Sequence, residues 1–527
     1  MAVRWRLCAS PDGSFYEELA SPQVAFCWAY DSRADQLWEA DHAAVGNELE
    51  LDDKEVVLLS AFVRTGFWLQ PGASRLLELA LDEGEEAAAD EEGVEADVRA
   101  LSGNDSGPTV RLTLRLRDRG RLLARLHVCR STGRAQLLRM RVAGDAEAWA
   151  FGAWGAEGLP AVVIHATASG ARDLFRTDGV RPAGSLPPGT FAPLPGCLSS
   201  LAGAHFDGPD APQTLAVERS RSGHMLVRIS FNGRHAGLAI LDTGASGFVI
   251  TRAAADAAGM ESFGEVFVSG VDNKIPSRFR RCASVGVGPL TFQAPLLLEM
   301  ELAGLVWGAS GPCVGIVGYD FFRRAVVDIP PAPATQLRVS APAAWAPPPA
   351  IAWQWLQVAL VANVPHAYAR WHGVPDGSEP ELLMLDSGAG GADAIFHARS
   401  VARLGLGNVG AYAGSSSIRG VSSSEAPRRM PAAQTAPAPT QRRQLDWLEL
   451  LPSGLPGAQT GRPLRFQGVE TLMLGEPGAF DLSETMSGVV CMPLLARSRV
   501  VVDLFRRRVA FVREGEIGEE SGLSDAI

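Results

Sequence analysis

The segment Ala-Ile-Leu-Asp-Thr-Gly-Ala-Ser, residues 239–246, decides the fold of this 527-residue chain because a second copy follows it. The second copy is Leu-Met-Leu-Asp-Ser-Gly-Ala-Gly, residues 383–390. In each copy an apolar run typical of a buried strand leads one aspartate, Asp242 or Asp386, into a tight turn that contains glycine. Two matched copies predict a repeated half-site that requires paired carboxylates.

Further landmarks follow both copies in the same order. After Asp242 the chain reads Val-Ser-Gly270-Val271, Gly315-Ile-Val-Gly318 and Val-Val-Asp-Ile329. After Asp386 it reads Ile-Arg-Gly420-Val421, Gly488-Val-Val-Cys491 and Val-Val-Asp-Leu504. Each repeat is longer than a solenoid unit of about 20 to 50 residues, so the repeats are interpreted as two lobes. The interval from Gly420 to Cys491 exceeds that from Gly270 to Gly318, which indicates an insertion in the second copy.

The chain is long enough for several domains. Alternating leucines at 112, 114 and 116 predict antiparallel strands before the repeats. The predicted organisation is an N-terminal β-rich domain over 1–200 with an acidic loop at 82–97, a first lobe over 215–340, a second lobe over 350–513 with a low-complexity insertion at 413–462, and an acidic tail at 514–527.

A hairpin is predicted to carry the first aspartate. Asn232-Gly233 lies between the apolar runs 225–231 and 237–241 and is a strong signal for a two-residue turn. It places Asp242 at the end of an inner strand. In the second copy, residues 355–361 are predicted as the outer strand and residues 381–385 as the inner strand.

Composition excludes several classes of protein. The net charge of −11 and the pI near 5.4 disfavour nucleic-acid binding, which requires clustered Lys and Arg. The N-terminus has no apolar export segment, and no run of eighteen apolar residues occurs, so a cytoplasmic protein without membrane partners is expected. Seven scattered cysteines without a Cys-x-x-Cys pair predict reduced thiols, no metal site and no cofactor.

Paired aspartates suit a defined chemistry. Two carboxylates about 3 Å apart share one proton and titrate as a unit. The ionised member can deprotonate water while the protonated member donates to a carbonyl oxygen. Gly244 and Gly388 allow the backbone to turn sharply and bring N–H donors close to the carboxylates.

This order of motifs resembles the aspartic peptidases of the retropepsin and pepsin clan over residues 215–513. The stretch from Gly315 to Phe322 is most similar to bacterial-type retropepsin-like peptidases with two fused lobes. The resemblance implies a mainly β, bilobal aspartic-peptidase (acid protease) β-barrel fold, an endopeptidase acting on a peptide or protein substrate, and a monomer. It implies these site residues: Asp242 and Asp386 as catalytic, Thr243 and Ser387 as inter-lobe braces, Gly244, Gly388, Gly318 and Cys491 as supporting loop positions, and Gly270, Val271, Gly420 and Val421 in the flaps.

The second copy departs from the pattern at two positions. Cys491 stands where the first copy has Gly318, and Gly390 stands where it has Ser246. The alternative is therefore a catalytically inactive pseudopeptidase that binds peptides or proteins. No Gly-x-Ser-x-Gly, phosphate-loop or His-Glu-x-x-His motif supports another enzyme class. His205, His224 and His235 are interpreted as core or surface histidines.

Overall fold

A computed structural model describes the chain between residues 3 and 512. The gaps in this range are 23, 42–44, 83–100, 102–107, 118–119, 121, 143–144, 168–171, 182–185, 188, 194–195, 222, 270–273, 303–305, 307, 350, 375–376, 416–439, 453–461 and 476–485. The chain divides into two compact units, Met1–Ser199 and Ser200–Ile527.

The first unit contains two antiparallel sheets, as expected for an N-terminal β-rich domain. The five-stranded sheet has the order β1-β2-β3-β4-β5 and the seven-stranded sheet has the order β12-β11-β10-β9-β8-β7-β6. Their bounds are β1 Arg4–Ala9, β2 Phe15–Ala20, β3 Ala25–Asp31, β4 Gln36–Ala40, β5 Gly46–Glu48, β6 Leu77–Leu81, β7 Thr109–Leu116, β8 Ala124–Cys129, β9 Ala135–Val142, β10 Asp145–Trp154, β11 Pro160–Thr167 and β12 Arg172–Arg176.

Helix α1, Leu51–Arg64, was not predicted from the sequence. Its buried side chains include Leu58, Leu59 and Phe62, which pack in one core with the leucines of β7 and β8. Acidic residues in its first turn and Arg64 in its last turn match the charge of the helix ends.

The second unit consists of two halves that each carry one Asp-Thr/Ser-Gly turn. The strands of the first half are β13 Ala204–Phe206, β14 Gln213–Arg219, β15 Met225–Phe231, β16 Arg234–Leu241, β17 Phe248–Ile250, β18 Glu261–Ser269, β19 Lys274–Arg281, β20 Ser284–Val287, β21 Leu290–Gln293, β22 Leu296–Glu299, β23 Cys313–Val317, β24 Val326–Ile329 and β25 Gln336–Ser340. Its helices are α2 Arg252–Ala257 and α3 Tyr319–Phe322.

The second half has a corresponding set of elements. Its strands are β26 Gln354–Gln357, β27 Ala359–Val361, β28 Val364–Trp371, β29 Glu381–Asp386, β30 Ala394–Phe396, β31 Ala411–Ser415, β32 Gln441–Leu450, β33 Leu464–Met473, β34 Met486–Cys491, β35 Arg499–Asp503 and β36 Arg508–Val512. Its helices are α4 Ala398–Arg403 and α5 Met492–Leu495.

The two halves pair their central strands in the same way. In the first half β16 runs parallel to β23, which is antiparallel to β17, which is parallel to β22. In the second half the same relations join β29 to β34, β34 to β30, and β30 to β33. The strand that leads to each aspartate therefore lies beside the strand that precedes Gly318, in the first half, or ends at Cys491, in the second.

A shared antiparallel sheet joins the halves. Its strands follow the order β14-β25-β24-β35-β36-β26, so that each half contributes one side. The central pair is β24 and β35, with Val327 opposite Val502. Across this pair Arg499 donates to both carboxylate oxygens of Asp328, at 2.9 and 2.6 Å. This sheet fixes the two halves relative to each other.

The hairpin predicted before Asp242 is present as β15 and β16. Asn232 and Gly233 have positive φ angles of 51° and 74°, as a two-residue hairpin turn requires. The outer strand predicted over 355–361 was wrong. That segment divides between β26 and β27, and β28 is the strand paired with β29.

The insertion predicted over 413–462 also needs correction. Its residues 441–450 form β32, which pairs with β28, β31 and β33. Leu445, Leu448 and Leu450 are fully buried, and their burial holds the strand in the core despite the low-complexity sequence around it. Most of the acidic loop at 82–97 and the whole tail at 514–527 lie outside the described residues. In the described part of the chain, no helix has the length and apolar character needed to cross a membrane.

Candidate active site

Asp242 and Asp386 are brought together at the ends of the two inner strands. β16 ends at Leu241, and the Asp242 backbone N–H then donates to Val317 at 3.0 Å. β29 ends at Asp386, whose neighbour in the parallel strand is Cys491. The two carboxyl groups are joined by a hydrogen bond. The structure thus forms a carboxylate pair from the two repeated turns.

Gly244 and Gly388 are close to the opposite carboxyl groups. A Cβ atom added at Gly244 would lie 2.6 Å from Asp386 Oδ2, and one added at Gly388 would collide with the carboxyl group of Asp242. Each glycine also donates its own N–H to Oδ1 of the preceding aspartate at 2.7 Å. Glycine is required at both positions because of this close approach of backbone and carboxyl group.

Thr243 and Ser387 hold the two turns together. The Thr243 hydroxyl donates to the backbone oxygen of Leu385 at 2.7 Å, and the Ser387 hydroxyl donates to that of Leu241 at 3.0 Å. In return, the Ser387 N–H donates to the Thr243 hydroxyl at 2.9 Å and the Thr243 N–H donates to the Ser387 hydroxyl at 3.0 Å. Both side chains are buried, so this reciprocal network fixes the distance between the aspartates without competition from water.

Burial shifts the pKa of both carboxyl groups. Burial raises the pKa of Asp242 well above its usual range, and the charge of Asp386 and its hydrogen bond add to the shift, while hydrogen bonds from the N–H groups of Gly244 and Gly388 oppose it. Burial also raises the pKa of Asp386, but hydrogen bonds from Asp242 and from the N–H groups of Gly388 and Ala389 oppose it. Because both pKa values are raised, the pair keeps a proton at a pH where an isolated aspartate has lost it.

Gly318 and Cys491 occupy corresponding strand ends but have different surroundings. A Cβ atom at Gly318 would lie 2.5 Å from the backbone oxygens of both Ala245 and Gly247. Cys491 is fully buried among apolar side chains that include Val364, Met384 and Ile395. Because the two carboxyl groups are hydrogen-bonded directly, the Cys491 side chain does not separate them.

The predicted flap residues Gly270, Val271, Gly420 and Val421 lie outside the described residues. The strands on either side of the first pair, β18 and β19, form an antiparallel hairpin. β31 and β32, on either side of the second pair, are also antiparallel.

His224 was missed as a site residue by sequence reasoning. It immediately precedes β15 and is 7% exposed, and burial lowers its pKa while the backbone of Gly388 and the charge of Asp386 oppose that shift. The register of the hairpin points to this position. Leu226 lies opposite Ile240, so His224, two residues before Leu226, lies level with Asp242, two residues after Ile240.

No cluster of three or more His, Cys, Asp or Glu side chains is placed to hold a metal ion among the residues that the structure describes.

Comparison with known proteins gives one family match. Residues 227–321 match the family model described as aspartyl protease, a range that contains Asp242 and Gly318 and ends before Asp386. A search of curated proteins found no match. The match supports an aspartic-protease-like family.

The chain is similar to two solved structures at low sequence identity. The aspartic proteinase from Irpex lacteus is 11% identical, with 59% of this chain and 99% of that chain covered and a TM-score of 0.36. Basic 7S globulin from soybean is 11% identical, with 58% of this chain and 95% of that chain covered and a TM-score of 0.33.

Proposed function

We propose that the chain is a retropepsin-like, aspartic-type endopeptidase that hydrolyses peptide bonds with water activated by Asp242 and Asp386. The direct hydrogen bond between the two carboxyl groups carries this proposal. Two carboxyl groups in direct contact are not both ionised, so the pair retains one proton in the pH range where isolated aspartates have lost theirs.

The proposed chemistry uses the two carboxyl groups in different protonation states, with Asp386 ionised and Asp242 protonated. The Asp386 carboxylate accepts a proton from a water molecule as that water attacks the carbonyl carbon of the substrate. Asp242 gives its proton to the carbonyl oxygen, which yields a neutral tetrahedral intermediate. Breakdown of the intermediate requires a proton on the leaving nitrogen, which the newly protonated Asp386 supplies. As the C–N bond breaks, Asp242 takes back a proton from one hydroxyl of the intermediate, whose oxygen becomes the carbonyl oxygen of the product acid. Each turnover returns the pair to its singly protonated state.

The proposed substrate is an extended segment of a peptide or protein. Extended chains bind through backbone hydrogen bonds, which place the carbonyl carbon of a peptide bond against a fixed pair of carboxyl groups. Both carboxyl groups come from one chain, so the proposed enzyme acts as a monomer.

The test is cleavage of an unfolded protein across pH 3 to 7 by the parent, Asp242→Asn and Asp386→Asn. Each variant is expected to lose at least about a thousandfold in kcat/KM, because each removes one of two proton-transfer groups. Asp210→Asn is the matched control: Asp210 is exposed and belongs to the same unit. It is expected to cleave like the parent.

The alternative, a pseudopeptidase that binds peptides, makes a different prediction. Folded parent protein would cleave nothing at any pH, while peptide affinity would survive in both Asp→Asn variants. That result would contradict the proposed hydrolysis.

A further inference from the structure

Asp320 holds the first aspartate turn from α3. Its carboxylate oxygen Oδ2 accepts the N–H of Phe248, the first residue of β17, at 3.3 Å. One position earlier in α3, the Tyr319 N–H donates to the backbone oxygen of Ala245 at 2.9 Å. Ala245 and Phe248 are the middle and the end of the turn that begins at Asp242. The start of α3 therefore fixes this turn at two points.

Arg324 holds the carboxylate of Asp320 in place. Its guanidinium donates to Asp320 Oδ1 at 3.3 Å and to the backbone oxygen of Asp320 at 2.9 Å. It also donates to the backbone oxygen of Ala202 at 2.7 Å and lies over the ring of Phe292. The Arg324 side chain is buried, so water competes little for these charge-assisted hydrogen bonds.

The Asp386 turn ends beside a second pair of aspartate and arginine. Asp393, the residue before β30, is buried. Its Oδ2 accepts the Glu470 N–H at 2.9 Å, and its backbone oxygen accepts the Cys491 N–H at 2.9 Å. Arg497 forms an ion pair with the same carboxylate. In both halves, a carboxylate that is paired with arginine therefore holds the end of the aspartate turn.

The two arginines occupy equivalent positions. Arg324 follows Gly318 by six residues, and Arg497 follows Cys491 by six residues. A short helix, α3 or α5, lies between them in each half, and its first N–H donates to the residue three positions after the aspartate of the pair, at 2.9 Å. Each half therefore presents its arginine to the aspartate turn in the same way.

The two carboxylates come from different elements. The position equivalent to Asp320 is Pro493 in the second half, and the position equivalent to Asp393 is Gly247 in the first half. A Cβ atom added at Gly247 would lie 3.1 Å from Asp320 Oδ2. The Asp320 carboxylate thus fills the space into which a side chain at position 247 would point. The carboxylate is supplied by α3 in the first half and by the turn itself in the second.

We propose that Asp320 and Asp393 are positioning residues, each of which, paired with its arginine, holds Asp242 or Asp386 in the geometry of the carboxylate pair. The proposal rests on the proposed function, since that pair is its catalytic centre. Neither residue acts on the reacting atoms, because each holds its turn through backbone N–H groups. If the two carboxylates have the same task, a carboxylate at position 247 can replace that of Asp320.

The kinetic test moves the carboxylate from α3 to the turn. Asp320→Ala is expected to lower kcat about tenfold to a hundredfold and to change KM less than about twofold, because the aspartate turn moves while substrate contacts remain. Adding Gly247→Asp to Asp320→Ala restores a carboxylate beside Arg324 and is expected to recover most of kcat. The φ angle of Gly247 lies outside the left-handed region, so a side chain is tolerated there.

The matched control adds Gly247→Asn to Asp320→Ala, which fills the same space without a charge and is expected to stay impaired. Asp320→Asn, which preserves the size of the side chain, is taken through the same comparison, so that the test does not depend on the folding of the alanine variant. The inference is overturned if folded Asp320→Ala has the kcat of the parent, if Gly247→Asp recovers nothing, or if Gly247→Asn recovers as much as Gly247→Asp.

A second measurement does not depend on cleavage. Hydrogen exchange of the Tyr319 amide, which is bonded to Ala245, is followed by NMR. We expect it to become about tenfold faster in Asp320→Ala and to return towards the parent rate when Gly247→Asp is added. The Met492 amide makes the corresponding bond in the second half and is the internal control, expected to be unchanged.

An unchanged Tyr319 exchange rate in Asp320→Ala overturns the inference. If Tyr319 responds as expected while the parent protein cleaves nothing, the positioning of the turn by Asp320 is supported and the proposed function alone is contradicted.

Discussion

At the scale of single residues, two corresponding positions differ in the space around them. Cys491 carries a side chain, whereas Gly318 has no room for one. The Asp386 turn, up to Ala394, is two residues longer than the Asp242 turn, up to Phe248. The extra length leaves space for the Cys491 side chain, whereas the shorter turn passes directly over Gly318. A cysteine at this position is therefore compatible with the pairing of the two aspartates.

Substitution of these two positions by alanine is expected to give opposite results. Gly318→Ala places a methyl group against two backbone oxygens and is expected to cost about 1–3 kcal/mol or more in unfolding free energy. Because those oxygens belong to the turn of Asp242, cleavage is also expected to fall. Cys491→Ala removes only a sulfur atom from an apolar cluster and is expected to cost about 1 kcal/mol and retain cleavage. Urea unfolding and cleavage rates measure both effects. Equal tolerance of the two substitutions would contradict the explanation by turn length.

At the scale of elements, local turn chemistry explains what could be predicted. Asn232-Gly233 specified the hairpin of β15 and β16, since its two residues readily adopt positive φ. β28 was missed because it follows Ala362 and Asn363, which have positive φ angles of 49° and 63° without a glycine to signal the turn. β32 was missed because its strand character depends on long-range pairing with β28 and β33.

One strand of the first unit carries a charge that is expected to stabilise its sheet. His165 on β11 has Nε2 at 2.9 Å from Glu147 Oε2 and is stacked on Trp149, with ring centroids 4.5 Å apart. Burial alone would lower the pKa of His165, but hydrogen bonds to Asp173 and Glu147 outweigh it and raise the pKa to about 8. The stabilisation is complete below the ordinary histidine pKa and is lost as the pH rises through about 8.

His165→Gln is therefore expected to destabilise the protein by up to about 2 kcal/mol at pH 6 and by much less at pH 9. Urea unfolding at the two pH values measures the difference. His205→Gln is the control, because His205 forms an ion pair with Asp207 in which both side chains are mostly exposed. Exposed pairs contribute little, so its effect is expected to be small at both pH values. If the loss of unfolding free energy in His165→Gln does not depend on pH, its cause is the lost packing on Trp149 and not the charge of His165.

At the scale of the whole molecule, the candidate site is a contact between distant parts of the chain. The Thr243 N–H and the Ser387 hydroxyl are 144 residues apart in sequence. The repeated motif predicted that the aspartates would meet, because each motif is an incomplete half-site. The effect of Asp386 on the pKa of His224 was not predicted, because it depends on how the two halves are held together.

The shared proton also links the site to the stability of the whole fold. Asp242 keeps its proton in the folded protein to a higher pH than in the unfolded chain, because burial and Asp386 raise its pKa. The resulting stabilisation is complete below the ordinary aspartate pKa of about 4 and is lost as the pH rises through the raised pKa. The side-chain amide introduced by Asp242→Asn is neutral throughout and avoids this loss, while Asp386 keeps its donors from Gly388 and Ala389. The Tm of Asp242→Asn is therefore expected to rise relative to the parent between pH 4 and pH 7, with Asp210→Asn unchanged relative to the parent. A constant Tm difference over this range would show that the pair holds no shared proton, and the assignment of Asp242 as the proton donor would fail with it.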